Sequence, residues 1–173
     1  MRLTQFYNTG RCCPSRAAIL TGQYPHRVGL GHMTTNNLGR PGYRGVVSKE
    51  ALTIAQVLAH AGYRSFMSGK WHLGAANQEC WPLQRGFDRF YGGLSGAFNY
   101  FKPGGDRGMS EGNDSIDPET LGDDFYVTDV LTDKAIQFID EATTADDKPF
   151  FLYLAYNAPH WPVTPKWNDY LKY

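Results

Sequence analysis

Phe150-Phe151-Leu152-Tyr153-Leu154-Ala155-Tyr156 is an unbroken apolar run, and Asn157-Ala158-Pro159-His160 follows it directly. A run of this length without polar alternation predicts a strand buried on both faces, the pattern of a parallel sheet covered by helices. Lys148-Pro149 stops whatever precedes it, because proline has no amide hydrogen with which to continue a helix. Upstream, Val127, Val130, Leu131, Ala135, Phe138, Ile139 and Ala142 recur at helical spacing and predict a helix from Tyr126 to about Ala142.

The same order of elements occurs earlier. Ser48 is placed to cap a helix from Lys49 to Ala61, with Glu50 in its first turn and Gly62 after it. Leu52, Ala55, Val57, Leu58 and Ala61 supply its apolar face. Tyr63–Ser68 reads as a short strand that delivers Gly69-Lys70-Trp71-His72 at its carboxyl end. Helix–strand–loop units in succession imply an α/β layered fold with a mostly parallel sheet. In such sheets ligands collect beyond the carboxyl ends of the strands, where both Lys70-Trp71-His72 and Pro159-His160 fall. Residues 23–47 read as an ordered surface loop, and 74–124 as loop with short elements only. Met1–Tyr7 alternates like a strand.

The 173 residues make one domain or a piece of a larger one, and no apolar stretch is long enough to span a membrane. Net charge is zero, but its distribution is uneven. Arg2, Arg11, Arg16, Arg27, Arg40, Arg44 and Lys49 stand in the first 49 residues without a single acid, whereas 106–147 holds thirteen acids against Arg107 and Lys134. This points to an anionic ligand near the N-terminal third, with the acidic run a solvated face and no nucleic-acid partner implied. Three cysteines make no disulfide framework, and without Cys-x-x-Cys the zinc and redox readings are weak. Cys80 reads as a small buried hydrophobe.

Cys12-Cys13-Pro14-Ser15-Arg16 then draws attention. Pro14 suits the first position of a helix and Gly22 a left-handed end to it. A helix start offers free N–H groups to an anion, and Arg16 adds a planar donor array for tetrahedral oxyanions. Either cysteine could serve as a thiolate there. A cysteine phosphatase needs five residues between Cys and Arg where Cys12 and Arg16 have three. A thiol protease pairing with His72 or His160 leaves the cations unexplained.

These residues resemble a known family. Cys12-x-Pro14-Ser15-Arg16-x-x-x-Leu20-Thr21-Gly22 is similar to the signature of type I, formylglycine-dependent sulfatases. Gly69-Lys70-Trp71-His72-Leu73-Gly74 resembles the second signature, and Ala158-Pro159-His160-Trp161-Pro162 the later histidine segment. Gly86-Phe87-Asp88 and Phe90-Tyr91-Gly92-Gly93 have an arylsulfatase look. The resemblance implies an alkaline-phosphatase-like fold and a hydrolase of sulfate esters. It implies that Cys12 is oxidised by a formylglycine-generating or equivalent maturation enzyme, and that the hydrated aldehyde attacks sulfur and later expels sulfate.

By the same resemblance, Arg16 holds the hydrate, Lys70 grips sulfate, His72 acts as base, and His160 stands at the leaving-group oxygen. Cys12, as formylglycine, ligates a divalent cation, calcium in preference to magnesium. The substrate implied is a sulfated small molecule or carbohydrate, and the location implied is exported (periplasmic, extracellular or lysosomal-type) in preference to cytoplasmic. The family's remaining metal ligands, an Asp pair before the signature and an Asp-Asn pair well after it, have no counterpart here. The expectation is therefore a partial catalytic domain over 1–173, lacking its first strand and C-terminal part, that binds metal poorly and turns over little substrate alone. A phosphate or phosphonate ester hydrolase using the same nucleophile, or an anion-binding piece with unmodified Cys12, are the alternatives. His26, His32 and His60 read as loop or helix-surface residues, Asp123-Asp124 as helix-capping acids, and Asn113-Asp114-Ser115 as a chance glycosylation match. Trp71, Tyr91, Tyr100 and Trp161 read as either an aromatic wall or core.

Overall fold

The computed structural model describes residues 2, 4, 5, 7, 9–145 and 147–172. Its centre is a mixed five-stranded sheet in the order β4-β3-β2-β1-β5. The strands are β1 (Arg64–Gly69), β2 (Arg89–Gly92), β3 (Ser110–Glu111), β4 (Asp114–Ser115) and β5 (Phe150–Ala155). Both neighbours of β1 run parallel to it, whereas β3 and β4 extend the sheet antiparallel. The helices are α1 (Cys12–Thr21), α2 (Ile54–Ala59), α3 (Val127–Ala145) and the short α4 (Trp167–Tyr170).

Alternation along the strands builds a core on each face of the sheet. Met67 and Phe90 join Ala17 and Leu20 of α1, Ala55 of α2, Trp71 and Phe87 on one side. Phe66 and Tyr91 face the other way, onto Val127, Leu131, Phe138 and Ala142 of α3. Those α3 positions are the buried part of the stripe expected from the periodicity; Ile139, expected on the same face, lies at its exposed margin. The Ser68 hydroxyl donates to the Leu131 carbonyl at 2.7 Å and pins α3 across β1. Phe138 is fully buried and stacks on Phe66 with ring centroids 5.7 Å apart. Phe138→Ala is expected to cost about 3–5 kcal/mol of stability, measured by denaturant unfolding, because it leaves a ring-sized void between helix and sheet.

Several expectations need correction. The helix placed at Lys49–Ala61 is only Ile54–Ala59, capped by Thr53 rather than Ser48. Thr53 and Gln56 form a reciprocal capping box, and Leu52 and Val57 stay exposed. β5 is not buried on both faces: Phe150–Tyr153 are half-buried and Leu154 is 36% exposed. It ends the sheet order, so among the described residues only β1 covers one of its edges. The 23–47 segment is turn-rich as expected, yet Val28, Leu30 and Val47 reach into the core and make it more than a surface loop. Asp123 and Asp124 lie exposed ahead of α3, and the acid in its first turn is Asp129. Of the aromatic wall, Trp71, Tyr91 and Tyr100 are core, while Trp161 is 79% exposed. The strand read over Met1–Tyr7 rests partly on Met1, Leu3 and Phe6, which lie outside the described residues; Arg2, Thr4, Gln5 and Tyr7 are in no strand.

Candidate active site

α1 begins at Cys12, two residues earlier than the position of Pro14 suggested. Pro14 is therefore third in the helix, still among the first-turn positions whose amide has no intrahelical acceptor. The Ser15 amide makes the first helical bond, to the Arg11 carbonyl at 3.0 Å. At the other end Gly22 is left-handed (φ 65°) and donates to the Ala18 carbonyl at 2.8 Å, as expected.

Lys70 and His72 are placed by the end of β1. Gly69 lets the chain cross between its neighbours: its φ is 129°, and a Cβ there would stand 2.0 Å from the Ala155 carbonyl oxygen. The amides of Lys70, Trp71 and His72 then bond to the carbonyls of Ala155, Gly93 and Leu94 at 2.8, 2.9 and 3.1 Å. Trp71 locks the turn from below, edge-on to Phe87, with its indole N–H donating to the Cys80 carbonyl at 2.8 Å. Cys80 is buried, as read from the sequence. His72 is the only non-glycine residue with positive φ (61°) among the described residues, a strained conformation of the kind held at functional sites.

Four of the five expected residues come together. The Arg16 guanidinium donates to the Lys70 carbonyl and also reaches the Tyr153 hydroxyl of β5. The Cys12 and Cys13 sulfurs and a ring nitrogen of His72 all lie within 4.8 Å of one another. Cys12 is held down to about 3, first by the Cys13 thiol that hydrogen-bonds it and then by His72, with Lys70 helping against burial. The same bond, which needs the Cys13 proton, pushes the Cys13 thiol far up. Lys70 is 1% exposed, and burial lowers its pKa. The groups acting on it are Cys12, Arg16, Cys13 and Arg107, with no carboxylate in the set. Burial also lowers His72, while its bond to Cys12 opposes the shift.

A buried ammonium without an acid partner is costly and is resolved by an anionic ligand. A cavity of about 370 Å³ opens on Cys12 and Arg16, lined also by Arg11, Ser15 and Tyr153, while Lys70 and His72 lie buried outside its lining. The arrangement can hold a tetrahedral oxyanion against residue 12.

His160 is not part of this cluster. It is exposed on the loop after β5, its Nδ1 donates to the Trp161 carbonyl at 2.6 Å, and its own carbonyl accepts from Tyr100 at 3.0 Å. Arg107, on a short turn over Gly105–Arg107, acts on Lys70 and was missed; the available signal was a lone arginine in an acidic run. His26, His32 and His60 hydrogen-bond Tyr43, Asn36 and the Gln56 carbonyl within their own loops or helix, as expected.

The sulfatase family profile matches residues 1–172. The chain belongs to the sulfatase family. It is 32% identical to an uncharacterised sulfatase of Schizosaccharomyces pombe over 185 residues, 96% of this chain and 33% of that protein. It is 34% identical to arylsulfatase J of Mus musculus over 173 residues, 94% of this chain and 27% of that protein. The crystal structure of Ps i-CgsB in complex with k-i-k-neocarrahexaose superposes with a TM-score of 0.77 at 32% identity, covering 93% of this chain and 37% of that one. The chain thus spans about a third of the length of the relatives it matches. The α/β layers are those of the alkaline-phosphatase-like sulfatase fold.

Sulfatases generally use formylglycine and a divalent metal. The donors assembled here do not fit a hard cation. Calcium and magnesium require several oxygen ligands, and the cluster offers sulfur and imidazole nitrogen.

Proposed function

We propose that the whole protein hydrolyses sulfate esters with Cys12, converted to formylglycine, as its nucleophilic residue, and that residues 1–173 form part of that catalytic domain. The observation that carries this reading is buried Lys70, without a carboxylate partner among the described residues, beside Cys12 at the start of α1. The hydrated aldehyde supplies the attacking oxygen and a second hydroxyl through which sulfate is released.

The chain's own groups do the rest. Lys70 holds sulfate oxygens as a point charge, and the first-turn amides of α1 add donors. Arg16, tied to the Lys70 carbonyl and Tyr153, fixes the distance between nucleophile and cation. His72, kept neutral by burial, takes the proton from residue 12. His160 serves the leaving-group oxygen from its exposed loop, with the Nε2 edge left for that contact.

Calcium is proposed for the whole protein, its oxygen donors contributed from outside these 173 residues apart from residue 12. A sulfated carbohydrate is the proposed substrate, supported by the carbohydrate complex of the similar Ps i-CgsB structure. An exported location and a maturation enzyme acting on Cys12 complete the reading. No helix among the described residues is long and apolar enough to cross a membrane.

The test is peptide mass spectrometry on Cys12 after coexpression with the maturation enzyme, together with turnover of aryl sulfate and phosphonate monoester by the whole protein. Replacement of the Cys12 thiol by an aldehyde, with sulfate preferred, is expected. An unmodified thiol in an inactive whole protein sinks the reading, and faster phosphonate turnover reassigns the substrate. Gly96 supplies a finer check: a Cβ there would stand 3.2 Å from Cε1 and 3.3 Å from Nε2 of His72. Gly96→Ala is expected to lower kcat about 10- to 100-fold with unchanged thermal unfolding, because it displaces the base rather than the fold.

A further inference from the structure

Met33 belongs to the turn-rich 23–47 segment, and neither the sulfate site nor the core accounts for where its sulfur points. Its Sδ lies 3.8 Å from Cys12 Sγ and 3.8 Å from Cys13 Sγ. With His72, three separate stretches of chain therefore bring two thiols, a thioether and an imidazole to one spot. Beyond the contact its ring makes with Cys12, the buried His72 Nδ1 has no hydrogen-bond partner of standard geometry among the described residues, and the residue as a whole is 7% exposed.

We propose that the unconverted, thiol form of this protein binds one soft monovalent cation, copper(I), through Cys12, Cys13, Met33 and His72. Metal–sulfur bonds of about 2.3 Å place the sulfurs of a tetrahedral site about 3.8 Å apart, the separation seen from Met33 to each cysteine. Thiolate and thioether donors select copper(I) over hard ions. Charge selects it over zinc: a monovalent ion on two thiolates leaves one negative charge, which neighbouring Lys70 balances, whereas a dication leaves Lys70 and Arg16 without a counter-ion. Cys13 is fully buried while Cys12 is partly exposed, so the ion enters from the Cys12 side. Loading releases the one proton that the two sulfurs share and involves no electron transfer.

The site exists only before maturation, because conversion of Cys12 removes its sulfur. Copper occupancy and aldehyde formation therefore exclude one another. The proposal concerns the thiol form and does not rest on the hydrolytic reading.

The experiment uses the whole protein expressed without the maturation enzyme, reduced and kept anaerobic. Copper(I) is titrated in competition with bathocuproine disulfonate, and zinc(II) in parallel with a chromogenic chelator. One equivalent of copper(I) is expected. Cys12→Ser and Cys13→Ser each weaken it at least about 100-fold and Met33→Leu about 10-fold, while Cys80→Ala leaves it unchanged. Circular dichroism and thermal unfolding establish that each variant folds. Because Met33 is distant in sequence, its effect disappears in urea if the folded site is responsible. Binding unaffected by both Cys13→Ser and Met33→Leu, equal affinity in urea, or tighter zinc(II) than copper(I) overturns the proposal.

Discussion

Cys12→Ala in the whole, matured protein is expected to reduce aryl sulfate turnover at least about 10⁴-fold, to background, because it deletes the proposed nucleophile and not a supporting contact. Cys13→Ala is expected to stay within about tenfold of the parent, since a buried residue that only shapes the pocket contributes indirectly. The structure separates the two adjacent cysteines. Cys12 lines the cavity with Arg11, Arg16 and Tyr153, whereas Cys13 is fully buried in the body of the protein. Steady-state kinetics with both variants at equal thermal stability checks the pair. Activity that survives Cys12→Ala and dies with Cys13→Ala reverses the assignment.

Lys70→Met carries the second large effect, and it acts on activity and stability in opposite directions. Methionine is close in length and apolar, so the buried volume is kept while the charge goes. Losing the cation proposed to meet the sulfate is expected to cost about 10³-fold in kcat/KM. Stability is expected to hold or rise, because a buried ammonium with no acid partner is costly to keep in the folded state. Kinetics and thermal unfolding of the same preparation decide it. An unfolded variant identifies Lys70 as a structural residue, and retained kcat/KM removes it from the sulfate site.

Much of the local structure was legible because it depends on neighbours in sequence. The β1 and β5 strands appear within one residue of their expected bounds, and α3 starts one residue late and runs three further. The α2 boundary failed although its signal was present: Thr53-Ile54-Ala55-Gln56 is a capping box, outcompeted in the reading by Ser48 and the apolar Leu52. β5 looked like a strand covered on both faces because apolarity records what a strand prefers, not what is packed against it. Aromatics gave the weakest guide. Trp71 and Trp161 lie in similar motif contexts, yet one seals the core under Lys70 and His72 and the other stands in solvent.

What the sequence determined by itself is the spacing of Cys12, Pro14, Arg16 and Gly22 on one helix, and with it the family. That spacing is covalent, so the helix carries its own cap, cation and reactive residue wherever it packs. Only the tertiary structure decided that Lys70 is buried with no acid partner among the described residues, that His72 is strained beside Cys12, that Arg107 acts electrostatically on Lys70 and that His160 stands outside the Cys12–His72 cluster. It also decided that Met33 meets both cysteine sulfurs. Burial and charge environment arise where segments tens of residues apart converge on the ends of β1 and β5, and no local pattern records that convergence.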